Sequence, residues 1–578
     1  MSEKRIKTDV LVIGGGLAGC FAAVRAKELN ADVTLVEKNY VGKSGCSHYA
    51  RDIMVFREEW GDSMEEWLQQ FAQLGEYIAD QSWDKIILRE SYPRFRNLVD
   101  WGESFFKKDG TVGFPEPEEE PLRYHLRKTK YRRTSVLTKF VARHKMLIAR
   151  KKVTDSGCNI LDRIMITDLI MNDGRVAGAA GFHTRTGEIY IIEAKATIIS
   201  SGGLSFRSAR YGRQFNAGEG MTMGYRAGAE LTGMEFGQGM YVVKECDTVV
   251  INGPVAEIGK KRDQVTNANG EEFLNEVPHV PINILWPIEI HKGRGPIYHE
   301  PYGVDREKYK EELKKYDETA EGPWITMLDR AGLDIFNDRF EQYMAFDGTF
   351  YAGGLRINTD CATNVPGLYA AGDAAGTNYT GTTYVALGSG LAGASVMGYR
   401  AGQEAAEFAR KVKGVKIGEP EVEKYRQIVY GPLDRKGGFS PDHVLMRIQQ
   451  TIFPYEVRMV MHEKRLQAAI TMIEFFKEHF QPKLRATDPH DLRKAHEVRS
   501  MILGAEIMLR TALYRTESRG WFYREDYPRR DDKNWLKWVF VKKEDEKMKI
   551  WAEPVPKEYQ GDTSMPYEVR YPLQYQEE

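Results

Sequence analysis

Residues 8–37 limit the possible folds of this chain more than any other stretch. Thr8–Ile13 is apolar and β-branched, as a buried parallel strand must be, and Gly14-Gly15-Gly16-Leu17-Ala18-Gly19 follows at once. An amphipathic helix is predicted from about Cys20 to Leu29, then a second strand, Asp32–Val36, ending on Glu37. Strand, tight turn, helix, strand and terminal acid form the context in which a GxGxxG run binds a dinucleotide. Gly14, beside Gly15, makes the turn. Gly16 lets the backbone approach a pyrophosphate, while Ala18 and Gly19 keep the helix close to the strand. The helix N-terminus offers unpaired N–H groups and a positive dipole end to the phosphates. Glu37, 18 residues after Gly19, should accept hydrogen bonds from a ribose diol, and Lys38 beside it counts with the nucleotide site.

At 578 residues the chain is too long for one core and should divide into two to four domains. Lys+Arg 82 against Asp+Glu 83 leaves a formal charge of -1, which argues against general nucleic-acid binding. No apolar run reaches the roughly 18 residues of a membrane-spanning helix. The N-terminus enters a strand with no apolar signal region before it, so a cytoplasmic protein is expected. Five scattered cysteines, Cys20, Cys46, Cys158, Cys246 and Cys361, match neither a zinc site nor an iron–sulfur ligand run, and no metal is expected in this chain.

Two distant segments return to the same nucleotide. Thr197–Gly203 is a strand running into a small-residue turn that contains Gly202 and Gly203. Asn364–Gly376 is another strand, with Gly372 and Asp373 at its carboxyl end. A single mononucleotide fold does not need them. The longer FAD does, because its ribitol and ring extend past the pyrophosphate.

These pieces, with the Gly42-Lys43-Ser44-Gly45 turn, Asn216–Met221, Asn267–Leu274 and Gly353–Thr359, resemble the succinate dehydrogenase/fumarate reductase flavoprotein family. Thr516-Glu517-Ser518-Arg519-Gly520 and Tyr523–Pro528 extend the likeness nearly to the C-terminus. The motif style is nearest to the adenylylsulfate reductase α subunit branch. The resemblance implies that Glu219 holds the FAD nucleotide and Asp373 the ribitol, with Ser389, Gly390 and Leu391 near the flavin ring. Some family members bond FAD to a histidine in the turn that here reads Lys43-Ser44-Gly45-Cys46. Gly45 stands where that histidine would be, so dissociable FAD is expected.

The expected fold is α/β: a Rossmann-type FAD-binding domain with an inserted α+β capping domain and a C-terminal helical domain. The FAD-binding domain spans 1–232 and 346–412, the cap 233–345, the helical domain 413–530 and a tail 531–578. Val457–Phe480 and Leu492–Tyr514 carry apolar residues at helical spacing. The basic run Arg123–Arg133 reads as a solvated loop or an anion-docking face, and Glu116–Glu120 could neutralise it.

The resemblance also defines where this chain departs from the dicarboxylate enzymes. Glu235-Phe236 is followed by Gly237-Gln238-Gly239 instead of a histidine run, and Thr349 stands where a second histidine would. Gly381-Thr382-Thr383-Tyr384-Val385 replaces the carboxylate-binding His-Gly-Ala-Asn-Arg stretch. The proton-shuttle arginine falls on His279, which can act as an acid near neutral pH. His279, Arg294, Tyr351 and Tyr384 are the expected catalytic residues. The expected reaction moves electrons between a small anionic or organosulfur substrate and a ferredoxin-like iron–sulfur subunit. Trp521, Trp535 and Trp538 are then docking anchors or internal packing. A pure electron relay and a fumarate reductase or aspartate oxidase acting alone are the alternatives. A cap that excludes water favours an enzyme over a relay.

Overall fold

A computed structural model describes residues 2–50, 52–124, 135–137, 143–208, 213–244, 248–249, 265–273, 282–301, 307, 329–334, 337–348, 353–382, 384–386 and 388–571. The first part contains β1 (Glu3–Ile13), α1 (Leu17–Glu28), β2 (Val33–Glu37), β3 (Asp52–Met54), α2 (Arg143–Asp155) and β4 (Asn159–Asp162). It continues through β5 (Ile164–Asn172), β6 (Arg175–His183), β7 (Ile189–Ile199) and α3 (Glu219–Arg226). Then come β8 (Gln238–Val243), α4 (Ile282–His291), β9 (Phe340–Gly348), β10 (Leu368–Ala370) and α5 (Ser389–Lys411). The last part holds α6 (Pro489–Tyr514) and the hairpin β11 (Lys537–Glu544) and β12 (Lys547–Pro554).

A seven-stranded sheet in the order β4-β2-β1-β7-β6-β5, with β10 also on β7, forms the centre. Val10, Leu11 and Val12 of β1 are fully buried, as their position between two parallel neighbours requires. β4, β2, β1, β7 and β10 all run parallel. Their carboxyl ends therefore open on one edge, where an open α/β sheet binds its ligand. β5 and β6 form an antiparallel hairpin turned by Asp173 and Gly174, both at positive φ. β6 takes the first half of β7 and β10 takes the last three residues, so the Thr197 segment and the Leu368 segment deliver their turns side by side.

α1 begins at Leu17, three residues before the predicted start, because Gly16 already supplies the extended N-cap and the small residues after it can coil at once. α5 packs along α1 so closely that a Cβ on Gly398 would lie 2.2 Å from the Ala18 carbonyl oxygen, and one on Gly402 would lie 2.3 Å from that of Ala22. This spacing of small residues fixes α5 against the nucleotide helix and aims its first turn at the same edge.

Between residues 233 and 348, β8 and β9 pair in a separate five-stranded sheet, with α4 packed beside it. β9 runs to Gly348, three residues beyond the predicted end of the cap. The tail is built into the protein: β11 pairs with Leu231–Thr232 and β12, completing a second five-stranded sheet with 354–356 and 375–376. The helix predicted from Val457 begins instead at Glu463, where the His462 side chain caps it. Pro454 starts a separate single turn, Tyr455–Arg458, ahead of it. α6 extends three residues earlier than predicted, from a Pro489 that Asp488 caps.

Candidate functional site

The turn after β1 is interlocked through its glycines. Gly14 has φ +111°, and a side chain there would sit 2.4 Å from the Ser200 carbonyl oxygen. A Cβ on Gly19 would lie 1.9 Å from the Gly14 carbonyl oxygen, so only glycine allows α1 to start this close to β1. At Gly15 a Cβ would press on Val41 at 2.8 Å. Gly16 differs: its nearest neighbour would be the Ser47 hydroxyl at 3.5 Å, an ordinary contact. The Gly16 backbone thus borders space that protein atoms do not fill. Ala18 is buried under Gly372.

Glu37 ties the turn together. One carboxylate oxygen accepts from the Gly15 N–H at 2.7 Å, and the other accepts from the Asn39 N–H and the Ser44 hydroxyl, each at 3.0 Å. Ser44 belongs to the turn whose next residue, Gly45, has φ +73° and nothing within 4 Å of a built Cβ. Gly202 and Gly203 lie at the end of β7, with Asn216 against Gly202.

A buried charge cluster lies beside this turn. The Lys38 ammonium donates to the Phe215 carbonyl at 2.8 Å, to the Glu219 carboxylate and to Glu497 at 2.9 Å. Burial disfavours the Lys38 charge, yet Glu219 and Glu497 outweigh it and hold its pKa above the usual lysine value. Burial alone would raise Glu497, but Lys38, Arg493 and Arg207 hold it down to about 2. Glu497, Arg493 and Arg207 escaped the sequence reading. Glu497 stands 459 positions from Lys38, and its one hint is an acid on the largely apolar buried face of α6.

Asp373 sits in the single turn Gly372–Ala374 that follows β10. Farther along, Gly388 at φ +78° begins α5, placing Ser389, Gly390 and Leu391 in its first turn. The Tyr384 phenol accepts from the Gly388 N–H at 2.9 Å, and burial raises its pKa, with Asp52 adding to the effect. The hydroxyls of Ser201, Thr377 and Thr382 are buried and have no hydrogen-bond partner among the described residues. Three hydroxyls without a partner among the described residues, two helix N-termini and the open faces of Gly16 and Gly45 fit a long, polar, phosphate-bearing group such as FAD.

The substrate side is less concentrated. His279 and Tyr351 lie outside the described residues, as do Thr349, Cys246 and all but the first two residues of the basic run. Arg294 forms a bidentate pair with Glu289 of α4, its Nε donating at 2.7 Å, and this contact occupies the guanidinium. Arg123 is buried against Asp62 at 2.6 Å and Glu120 at 2.7 Å. Glu118 pairs with Arg57 and Glu119 with Lys107.

The Thr516–Gly520 motif serves as a joint. Glu517 accepts from Arg515 at 2.7 Å and from Arg519 at 2.8 Å, and Arg515 also reaches Glu235 at 3.0 Å, all without solvent exposure. It locks the segment entering the cap to the C-terminal region. Trp535 donates to the Thr516 hydroxyl at 3.0 Å and Trp538 to the Ile78 carbonyl at 2.7 Å, while Trp521 is buried. Trp521 is thus enclosed, whereas Trp535 and Trp538 are half-buried and tied inward by these bonds.

Comparison with known proteins agrees with this geometry. A model of the FAD binding domain matches residues 9–395, and one of the fumarate reductase flavoprotein C-terminus matches 447–571. A subunit of the fumarate reductase (CoM/CoB) of Methanothermobacter marburgensis is 27% identical over 559 residues, covering 91% of this chain and 96% of that protein. The fold matches that of Mycobacterium smegmatis Sdh1 with a TM-score of 0.81 at 22% identity, over 96% of this chain and 95% of that one. Adenylylsulfate reductase from Archaeoglobus fulgidus gives 0.77 at 23% identity, over 96% of each chain. No described helix is long and apolar enough to cross a membrane. The chain belongs to the FAD-binding flavoproteins of the fumarate reductase/succinate dehydrogenase family, and it is an FAD-dependent oxidoreductase.

Proposed function

We propose that this flavoprotein moves electrons between its FAD and a small anionic or organosulfur substrate, and exchanges them with an iron–sulfur partner subunit. The reading rests on the positions that hold two carboxylates elsewhere in the family: they read Gly237, Thr349 and Gly381–Val385 here. Arg515 and Arg294 are already engaged by Glu235 and Glu289. Each charge-assisted contact contributes about 1.5–3 kcal/mol, so a dicarboxylate loses most of its hold.

Bound FAD would supply electron-pair and hydride chemistry at its ring. The backbone of Gly14–Gly16 and the first turn of α1 hold its phosphates, and Glu37, Lys38 and Glu219 order the ribose side. Asp373 holds the ribitol. Thr382, Thr377 and the first turn of α5 would orient the ring, with Tyr384 held beside that turn by the Gly388 N–H. Gly45 has no side chain with which to form a covalent link, so the cofactor dissociates. His279, Tyr351 and Tyr384 are the proposed proton donors, and Arg294 positions the segment around α4 through Glu289.

Five scattered cysteines leave this chain without a cluster of its own, and relatives named as subunits support an assembly. Purification under native conditions from the source cell should bring down a small, brown, cluster-containing protein. A chain that runs alone and gives peroxide rapidly from its reduced flavin would overturn the partner. A second reading, fumarate reduction, draws on the full-length likeness to a relative of that name. Fumarate turnover within the usual enzyme range of about 1–1,000 per second would favour it.

A further inference from the structure

Lys145 stands outside the machinery described so far. It lies on α2 with 1% of its surface exposed, and its ammonium donates to the Ala50 carbonyl at 2.5 Å. That is its one hydrogen bond among the described residues. An ammonium carries three donors, so a charged Lys145 finds an acceptor for only one of them among the described residues.

Its surroundings connect two parts of the molecule. Ala50 leads directly into β3, where Asp52 acts electrostatically on Lys145 and also on Tyr384. The Met54 N–H at the end of β3 donates to the Gly388 carbonyl at 3.1 Å, and the Gly388 N–H donates to the Tyr384 phenol. One short strand thus joins the lysine to the turn that begins α5. On the opposite side Glu103, fully buried, lies 3.2 Å from His144 Nδ1, and the His144 side chain is 41% exposed. Glu103 and Asp52 are the charges that act on Lys145 among the described residues. The elements packed on α2 add Cys20, which burial keeps protonated, and His48, whose ring nitrogen meets the Gly42 carbonyl at 3.1 Å.

Burial lowers the Lys145 ammonium to about 7, against the opposing pull of Glu103 and Asp52. A negative charge added nearby at low dielectric would favour the ammonium again. We propose that Lys145 is a redox-linked protonation site, taking up one proton when the flavin gains an electron pair and releasing it on reoxidation. The proton comes from water, with Glu103 and His144 as its route, and the electron pair comes from substrate or, in the test, from an electrode. The proposal rests on the reading that the flavin ring lies at the first turn of α5.

The test is a spectroelectrochemical titration of the FAD-loaded protein from pH 6 to pH 9. Below about pH 7 Lys145 is protonated in both redox states and adds nothing to the slope. Above it, the wild type should bind one proton more per electron pair than Lys145→Met. Glu103 raises the lysine's pKa, so Glu103→Gln should move the start of that window to lower pH, and this variant carries the test if Lys145→Met does not fold. An unchanged proton count in FAD-loaded Lys145→Met, or an unmoved window in Glu103→Gln, overturns the proposal. A flavin spectrum indifferent to Tyr384→Phe would instead show that the ring lies elsewhere, and the proposal would fail with that reading.

Discussion

The two ends of the flavin site are built differently. At the nucleotide end, backbone meets backbone: Gly14, Gly15 and Gly19 leave no room for a side chain, and Glu37 bonds the turn it belongs to. Charges there are already paired, with Lys38 between Glu219 and Glu497. At the ring end, side chains carry the burden: buried hydroxyls of Thr377 and Thr382 lack a partner among the described residues, and Tyr384 takes the N–H just before α5. The first end pairs most of its charges within the protein and leaves the Ser201 hydroxyl without a partner among the described residues, whereas the second leaves the hydroxyls of Thr377 and Thr382 so. Close backbone packing thus shapes the turn after β1, and side chains shape the approach to α5.

Single substitutions should separate the two ends. Gly19→Val should produce the largest effect, no soluble folded protein, because a Cβ would lie 1.9 Å from the Gly14 carbonyl oxygen; soluble yield reads it. Gly16→Val should fold yet purify colourless, since a Cβ there meets only the Ser47 hydroxyl at 3.5 Å and the side chain would occupy the phosphate's approach. Circular dichroism with flavin absorbance distinguishes these outcomes. If both variants behave alike, the distinction between packing glycine and ligand-facing glycine is wrong.

Lys38→Met should cost about 3–5 kcal/mol in denaturant unfolding, because it leaves two carboxylates buried without their shared partner. The penalty should depend on pH. Glu497 is held at about 2 against an ordinary 4.5, so its contribution is fully present above 4.5 and is lost as pH falls toward 2. The gap between wild type and variant should therefore be widest near neutrality and narrow through that window. A gap independent of pH would mean that Lys38 acts by packing alone. Trp538→Phe should have the smallest effect, about 1 kcal/mol for the lost bond to Ile78, with FAD content unchanged.

The same contrast explains what could be read from sequence. The β1–α1–β2 unit was legible because its geometry demands glycine at set intervals and an acid at the end of a strand. That the β7 and β10 segments converge was legible, since both end in small-residue turns; that the strands pair directly was not. The Lys38–Glu497 pair was not, because helix periodicity marks a face as buried without naming what it meets. Nothing in the sequence around Trp535 and Trp538 shows that their indole N–H groups bond the Thr516 hydroxyl and the Ile78 carbonyl. Arg294 follows the same logic, because Glu289 five residues earlier claims its guanidinium.

The most direct test of a dissociable FAD resting on Gly16 and passing Gly45 is acid precipitation of the purified yellow protein. The flavin should appear in the supernatant as intact FAD, one per chain, and leave a colourless pellet. Flavin that stays with the pellet would reveal a covalent bond that Gly45 cannot form, and would contradict the account of this site.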